Sequence, residues 1–66
     1  MKVILYSTNC PKCNVLKQKL KNKGIEFTEN NSVDEMLKLG ITEVPMLGVN
    51  GLIMSFKQAV LWINKQ

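Results

Sequence analysis

The sequence predicts an α/β fold with the element order β-α-β-α-β-β-α, in which three helices flank a four-stranded mixed sheet. Three observations predict it. Strand-like and helix-like apolar spacings follow one another along the chain. An Asn50-Gly51 pair between two apolar runs predicts a tight hairpin. With 66 residues, the chain cannot divide its apolar side chains between two cores, so we expect residues 1–66 to form a single domain.

The first three elements form a predicted βαβ unit. Residues 2–6 hold enough β-branched and aromatic side chains to form a strand, and their nearly continuous apolar character indicates a central position. A helix is expected from Pro11, because proline is favoured in the first turn, to Gly24, where a C-terminal cap belongs. Residues 25–29 then alternate apolar and polar side chains, as a half-buried strand does. Such crossovers usually return to pair in parallel, so we expect both strands in one sheet.

The second half is predicted to hold a short helix, a hairpin and a last helix. Ser32 and Glu35 have the spacing of a capping box, and Gly40 follows as a C-terminal cap. Residues 44–49 and 52–54 are expected to pair as antiparallel strands, and a helical spacing of apolar residues follows Ser55. The expected core consists of Leu5, Leu16, Leu20, Phe27, Leu47, Ile53, Phe56, Val60 and Ile63.

Composition argues against several classes of function. The chain has no histidine, which removes Ser-His-Asp triads, Cys-His nucleophile pairs and histidine-containing zinc sites. Its net charge is +4, but all nine basic residues are lysine, and no aromatic residues alternate with them as nucleic-acid binding would favour. No apolar run approaches the roughly 18 residues of a membrane span or resembles a signal peptide. We expect a cytoplasmic monomer that binds neither nucleic acid nor a membrane.

Cys10 and Cys13 are the residues that can carry chemistry. They form a Cys-Pro-Lys-Cys motif where the first strand ends and the first helix begins. The pKa of a thiol at a helix N-terminus falls from about 8.5 to between about 3.5 and 7.5. Cys10 has that position, Pro11 fixes the backbone between the sulfurs, and Cys13 shares an apolar stripe with Leu16. The pattern predicts that Cys10 attacks a substrate disulfide and that Cys13 resolves the mixed disulfide.

Other interpretations of the cysteine pair are open at this point. A structural disulfide across so short a loop would constrain the unfolded chain by at most roughly 2 kcal/mol. Zinc or an iron–sulfur cluster would need ligands beyond two thiolates. A soft-metal carrier for Cu(I) or zinc is the sharper alternative, because copper chaperones also carry a CxxC motif after their first strand. Such carriers finish on a strand, whereas residues 56–65 here have helical spacing. A non-catalytic interaction module is a third class.

Residues 4–13 together with the Val44-Pro45 pair resemble a known family. The run Ile-Leu-Tyr-Ser-Thr-Asn-Cys-Pro-Lys-Cys, with Val-Pro before the third strand, is similar to a minimal, glutaredoxin-like thioredoxin fold. In that family the matching proline is cis and lies against the active cysteines, and the residue before it pairs with an incoming peptide or glutathione. The resemblance likewise implies a nucleophilic Cys10 and a resolving Cys13. It also implies a substrate-binding rim formed by Thr8, Pro11, Lys12, Val44 and Pro45.

The start of the last helix distinguishes two branches of this family. Glutathione-using glutaredoxins commonly carry Gly-Gly-x-Asp there, whereas this chain has Ile-Met-Ser-Phe-Lys at residues 53–57. Ser-Phe-Lys is closer to the Ser-Gly-Phe-Arg segment of NrdH-type redoxins, although the glycine is absent and Met54 replaces a tryptophan. Those proteins accept electrons from thioredoxin reductase and reduce ribonucleotide reductase.

The resemblance therefore implies an electron carrier that reduces protein disulfides and takes part in cell redox homeostasis. It implies no bound cofactor and no metal. The electrons would come from thioredoxin reductase with NADPH or from glutathione, and ribonucleotide reductase is one expected acceptor.

Overall fold

A computed structural model describes residues 2–66 of the chain. Its elements are β1 (Val3–Tyr6), α1 (Pro11–Asn22), β2 (Thr28–Asn30), α2 (Val33–Lys38), β3 (Met46–Val49), β4 (Leu52–Met54) and α3 (Phe56–Asn64). The element order and the four-stranded mixed sheet confirm the predicted fold class. Among these residues, no helix has the length and apolar character that a bilayer crossing requires.

The sheet has the strand order β2-β1-β3-β4. β1 pairs in parallel with β2 and antiparallel with β3, and β3 pairs antiparallel with β4. β1 is therefore a central strand, as its apolar run predicts. Asn50 and Gly51 join β3 to β4 with φ angles of 51° and 89°, the left-handed conformations that a two-residue turn of type I′ requires.

Two apolar clusters cover the two faces of the sheet. The larger cluster lies under α1 and α3 and comprises Val3, Leu5, Leu16, Leu20, Leu47, Val49, Ala59 and Ile63. The smaller cluster lies on the α2 side and comprises Tyr6, Met36 and Ile41. Five residues of the expected core are fully buried, namely Leu5, Leu16, Leu20, Leu47 and Ile63. The other four are half-buried against these clusters, namely Phe27, Ile53, Phe56 and Val60.

The second strand begins later than the alternation of residues 25–29 predicts, because backbone groups just before the strand are hydrogen-bonded to the end of α1. Gly24 and Ile25 donate their N–H groups to carbonyl oxygens in the last turn of α1, each at 3.0 Å. This pattern is the Schellman motif of a helix C-terminus. The amide of Ile25 is thus unavailable to the sheet, and β2 starts at Thr28. Ile25 and Phe27 instead pack on the larger cluster from outside the strand.

The end of the sheet that carries the cysteines also receives two distant segments of the chain. β1 ends there at Tyr6, which pairs with Met46 at the start of β3. β4 returns to the same end at Met54, one residue before the cap of α3. The fold thus brings the N-termini of α1 and α3 and the Val44-Pro45 pair to one end of the sheet.

Candidate active site

Cys10 and Cys13 lie at the N-terminus of α1. They are joined by a disulfide, and their Cα atoms are 5.0 Å apart, within the usual range of about 4.4 to 6.8 Å. Cys10 is the N-cap residue and is half-buried, whereas Cys13 is only 1% exposed. The structure therefore has one accessible sulfur with a buried sulfur behind it, which is the asymmetry that the helical spacing predicts.

The backbone of α1 is directed at the Cys10 sulfur. Cys10 Sγ accepts a hydrogen bond from the N–H of Cys13 at 3.1 Å, in the manner of a capping side chain. Pro11 fills the first turn, where a missing N–H is no loss, and no acidic residue stands in that turn. In the reduced protein, this donor and the positive end of the helix dipole both favour a thiolate on Cys10.

The loop before α1 is held by backbone hydrogen bonds on both sides. Ser7 donates its N–H to the carbonyl oxygen of Asn30 at 3.1 Å. Asn14 donates its N–H to the carbonyl oxygen of Cys10, also at 3.1 Å. Between these anchors, Asn9 has a φ angle of 63°, a left-handed conformation that asparagine adopts more easily than most residues. Asn9 was not among the predicted site residues, and its place before the helix cap is the one sequence signal for it.

A polar network connects β1, β2 and α1 beneath this loop. Ser7 is fully buried, and its Oγ donates to Glu29 Oε2 at 2.8 Å. Lys17 Nζ lies 3.1 Å from the same oxygen. The Ser7 hydroxyl, and after it the Lys17 ammonium, hold the pKa of Glu29 below its ordinary value, because both interactions favour the charged carboxylate. These three residues belong to different elements, so local sequence patterns do not reveal the network.

Lys12 lies on the α3 side of the disulfide. Its Nζ is 5.6 Å from the centroid of the Phe56 ring, which is the geometry of a cation–π interaction. Phe56 is the first residue of α3 and packs against the larger cluster. Ser55 caps that helix through reciprocal hydrogen bonds with Gln58. The ring that contacts Lys12 is thus fixed by the core and by a capped helix end.

Thr8 and Val44 line one surface groove on the α2 side of the site. The groove has a volume of about 190 Å³, and its other lining residues are Val33, Met36, Leu37, Ile41, Thr42 and Glu43. The peptide bond between Val44 and Pro45 is cis, and Pro45 is buried. The expected rim is therefore divided, with Thr8 and Val44 on the groove and with Pro11 and Lys12 exposed on the first turn of α1.

A known protein is similar to this chain in sequence. The thioredoxin of Methanothermobacter thermautotrophicus is 35% identical over an alignment of 57 positions, and the match covers 77% of this chain and 74% of that thioredoxin. The chain belongs to the thioredoxin family. No protein-family model matches the chain. As a member of the thioredoxin family with a disulfide-forming cysteine pair, it is a dithiol thiol–disulfide oxidoreductase.

Membership of the thioredoxin family also bears on partners and cofactors. The relationship to a thioredoxin indicates, in general terms, protein disulfides as substrates and a reductase as a partner. It also suggests no prosthetic group. Within residues 2–66 there is no cluster of three or more histidine, cysteine, aspartate or glutamate side chains that could hold a metal ion.

Proposed function

We propose that this chain is a glutaredoxin-like electron carrier of the NrdH-redoxin type, with residues 1–66 acting as one domain and with Cys10 and Cys13 as its catalytic residues. One observation carries the proposal. The N–H of Cys13 donates to Cys10 Sγ at 3.1 Å, at the N-terminus of α1. A donor in that position stabilises negative charge on the accessible sulfur, which is the form that attacks disulfides.

The proposed reaction has two exchange steps. The Cys10 thiolate attacks one sulfur of a protein disulfide, and the other substrate sulfur leaves as a thiolate that takes up a proton. Cys13 then loses its proton and attacks Cys10 Sγ, which releases the second substrate thiol. The cysteine pair ends as a disulfide, and two electrons have passed to the substrate. The burial of Cys13 supports this order, because a protein substrate reaches the half-buried Cys10 first.

A substrate is proposed to bind across Thr8, Pro11, Lys12, Val44 and Pro45. The groove that Thr8 and Val44 share supports this assignment, since it offers apolar walls beside the cysteine loop. Val44 precedes β3 and lies outside the sheet, so its backbone can pair with an extended substrate segment.

Thioredoxin reductase with NADPH is the proposed electron source, and ribonucleotide reductase is among the proposed acceptors. The first turn of α3 contains no acidic residue, and Lys57 is its second residue. The positively charged amino group of glutathione would therefore find no carboxylate partner in this turn. This feature supports the reductase over glutathione as the reductant.

Cysteine variants test the mechanism. We expect Cys10→Ser to abolish the reduction of insulin disulfides and Cys13→Ser to trap a mixed disulfide that non-reducing electrophoresis detects. The rate of alkylation of Cys10 in the Cys13→Ser variant should rise with a midpoint below about pH 8.5, the pKa of a free cysteine thiol. Robust turnover by the Cys10→Ser protein would contradict the assignment. Cu(I) transport predicts instead that both cysteines contribute equally to Cu(I) affinity and that insulin is not reduced.

A kinetic comparison tests the electron source. The oxidised protein is mixed with glutathione in one experiment and with NADPH and thioredoxin reductase in the other. We expect faster reduction by the enzyme. Fast reduction by glutathione alone would contradict the proposed reductant and would leave the dithiol mechanism intact.

A further inference from the structure

We propose that Lys12, held in place by Phe56, makes the site selective for substrates in which acidic side chains flank the reacting cysteine. This assigns a substrate class to the same site, and it rests on the proposed function. The contact that carries it is the Lys12 ammonium group 5.6 Å from the centroid of the Phe56 ring.

The fold places this ammonium near the start of α3, in the first turn of the helix that Cys10 caps. Lys12 is the second residue of α1, and Cys10 is the cap of the same helix. Its side chain extends sideways to Phe56, because α1 packs against α3 and both helices begin at the same end of the sheet. The ammonium therefore lies on the α3 side of Cys10. The groove lined by Thr8 and Val44 lies on the α2 side.

The contact orders the charge without neutralising it. An aromatic ring attracts a cation but leaves its charge in place, whereas a carboxylate partner would cancel it. In the part of the chain that the structure describes, the one ion pair joins Lys17 to Glu29, so Lys12 has no such partner. Lys57, which follows the ring, is likewise exposed and unpaired among residues 2–66. The α3 side of the rim thus carries positive charge that remains available to a substrate.

The size of the expected preference follows from Coulomb's law. An ammonium and a carboxylate roughly 6 Å apart in water attract each other enough to change a rate about threefold. A free lysine side chain would lose rotamer freedom when it pairs, and this loss cancels much of the gain at exposed sites. Because the Phe56 ring already restricts Lys12, less freedom remains to be lost when a substrate binds.

Two peptides that differ only in charge provide the test. One is Gly-Asp-Cys-Asp-Gly and the other is Gly-Asn-Cys-Asn-Gly, each with blocked ends and with its cysteine in a disulfide with thionitrobenzoate. In the Cys13→Ser protein, the Cys10 thiolate attacks the peptide sulfur, and coloured thionitrobenzoate leaves as the peptide becomes bound in a mixed disulfide. For the protein, the rate with the acidic peptide is divided by the rate with the amide peptide. This ratio is then divided by the ratio measured when the neutral thiol 2-mercaptoethanol replaces the protein.

We expect this normalised ratio to be about three at low salt and to approach one near 1 M salt, where the screening length is only about 3 Å. Adding Lys12→Met should reduce the low-salt ratio to near one. Adding Lys65→Met, which removes the same charge at the opposite end of α3, should leave it unchanged. Phe56→Leu should lower the ratio, and Phe56→Tyr should preserve it, because tyrosine keeps the aromatic face.

Each result decides a specific question. A ratio near one for the Cys13→Ser protein, or a ratio that adding Lys12→Met does not lower, would overturn the selectivity. Rapid reaction with both peptides would still uphold the proposed function. Equal losses for Lys12→Met and Lys65→Met would mean that net charge alone acts, which also overturns the role of Lys12. If the protein attacks neither peptide faster than 2-mercaptoethanol does, the proposed function and the selectivity fail together.

Discussion

The network of Ser7, Glu29 and Lys17 provides a quantitative test of how the cysteine loop is anchored. Ser7→Ala removes a buried hydroxyl that donates to the Glu29 carboxylate at 2.8 Å. A hydrogen bond to a charged group contributes about 1.5 to 3 kcal/mol. The side chain of Glu29 is 28% exposed, so water can replace part of the lost interaction. We therefore expect the free energy of unfolding to fall by about 1.5 kcal/mol, at the lower end of that range.

The pH dependence of the same network has a definite sign. The pKa of Glu29 is lowered in the folded protein, first by the Ser7 hydroxyl and then by Lys17. As the pH falls, the unfolded chain therefore takes up this proton before the folded one does. The pKa of glutamate in unfolded chains is about 4.3, so the stabilisation is complete above about pH 5 to 6. It is lost as the pH falls through the lower pKa of Glu29 in the folded protein. Glu29→Gln removes this part of the pH dependence.

Urea denaturation followed by circular dichroism, at neutral pH and at about pH 3, measures both effects. The matched control is Glu26→Gln, because Glu26 is exposed and has no ion pair among residues 2–66. We expect a flatter pH profile for Glu29→Gln and an unchanged one for Glu26→Gln. The reasoning is refuted if Glu29→Gln keeps the wild-type profile, or if Ser7→Ala is as stable as the wild type at neutral pH.

Three further predictions concern packing and a helix end, and urea denaturation measures each of them. In Gly48→Ala the new Cβ would lie 3.2 Å from Tyr6 Cε2 and 3.3 Å from Ile53 Cδ1. We therefore expect the free energy of unfolding to fall by about 1 to 2 kcal/mol. Unchanged stability would mean that these side chains move aside freely. Leu20→Ala should cost about 2 to 5 kcal/mol because the side chain is fully buried, and a loss under about 1 kcal/mol would contradict that packing. Ser55→Ala should cost about 1 kcal/mol through the lost cap, and equal losses for Ser55→Ala and Ser55→Thr would show that the capping oxygen is not responsible.

Local signals explain why most of the fold could be predicted. Pro11, the Asn50-Gly51 pair and Ser55 each act through neighbouring backbone groups, so their effects can be read from a few adjacent residues. The prediction for the second strand was wrong at its start for the same kind of reason. The alternation beginning at Ile25 indicates a strand, but the end of α1 takes the amide of Ile25, and two adjacent local signals compete for one residue.

The candidate site could be predicted only in part. Helical spacing was enough to expect a buried Cys13 behind an accessible Cys10, because both positions depend on a single helix. The contact between Lys12 and Phe56 could not be predicted, since it depends on how two helices pack. The bond between Ser7 and Glu29 depends likewise on the pairing of β1 with β2. Such contacts need the register and the packing, which no local pattern in one sequence supplies.

The contacts that escaped prediction explain how so small a protein holds a reactive sulfur in place. At this size only about 60% of the unfolded surface can be buried, so the core alone provides little rigidity at the surface. A left-handed residue such as Asn9 persists only where the surrounding structure determines its conformation. Here the backbone and side chain of Ser7 fix the loop on one side, and the cap of α1 at Cys10 fixes it on the other. The position of the sulfur is therefore set by hydrogen bonds made at Ser7 and Cys10, the residues that flank the turn, rather than by the extent of the core.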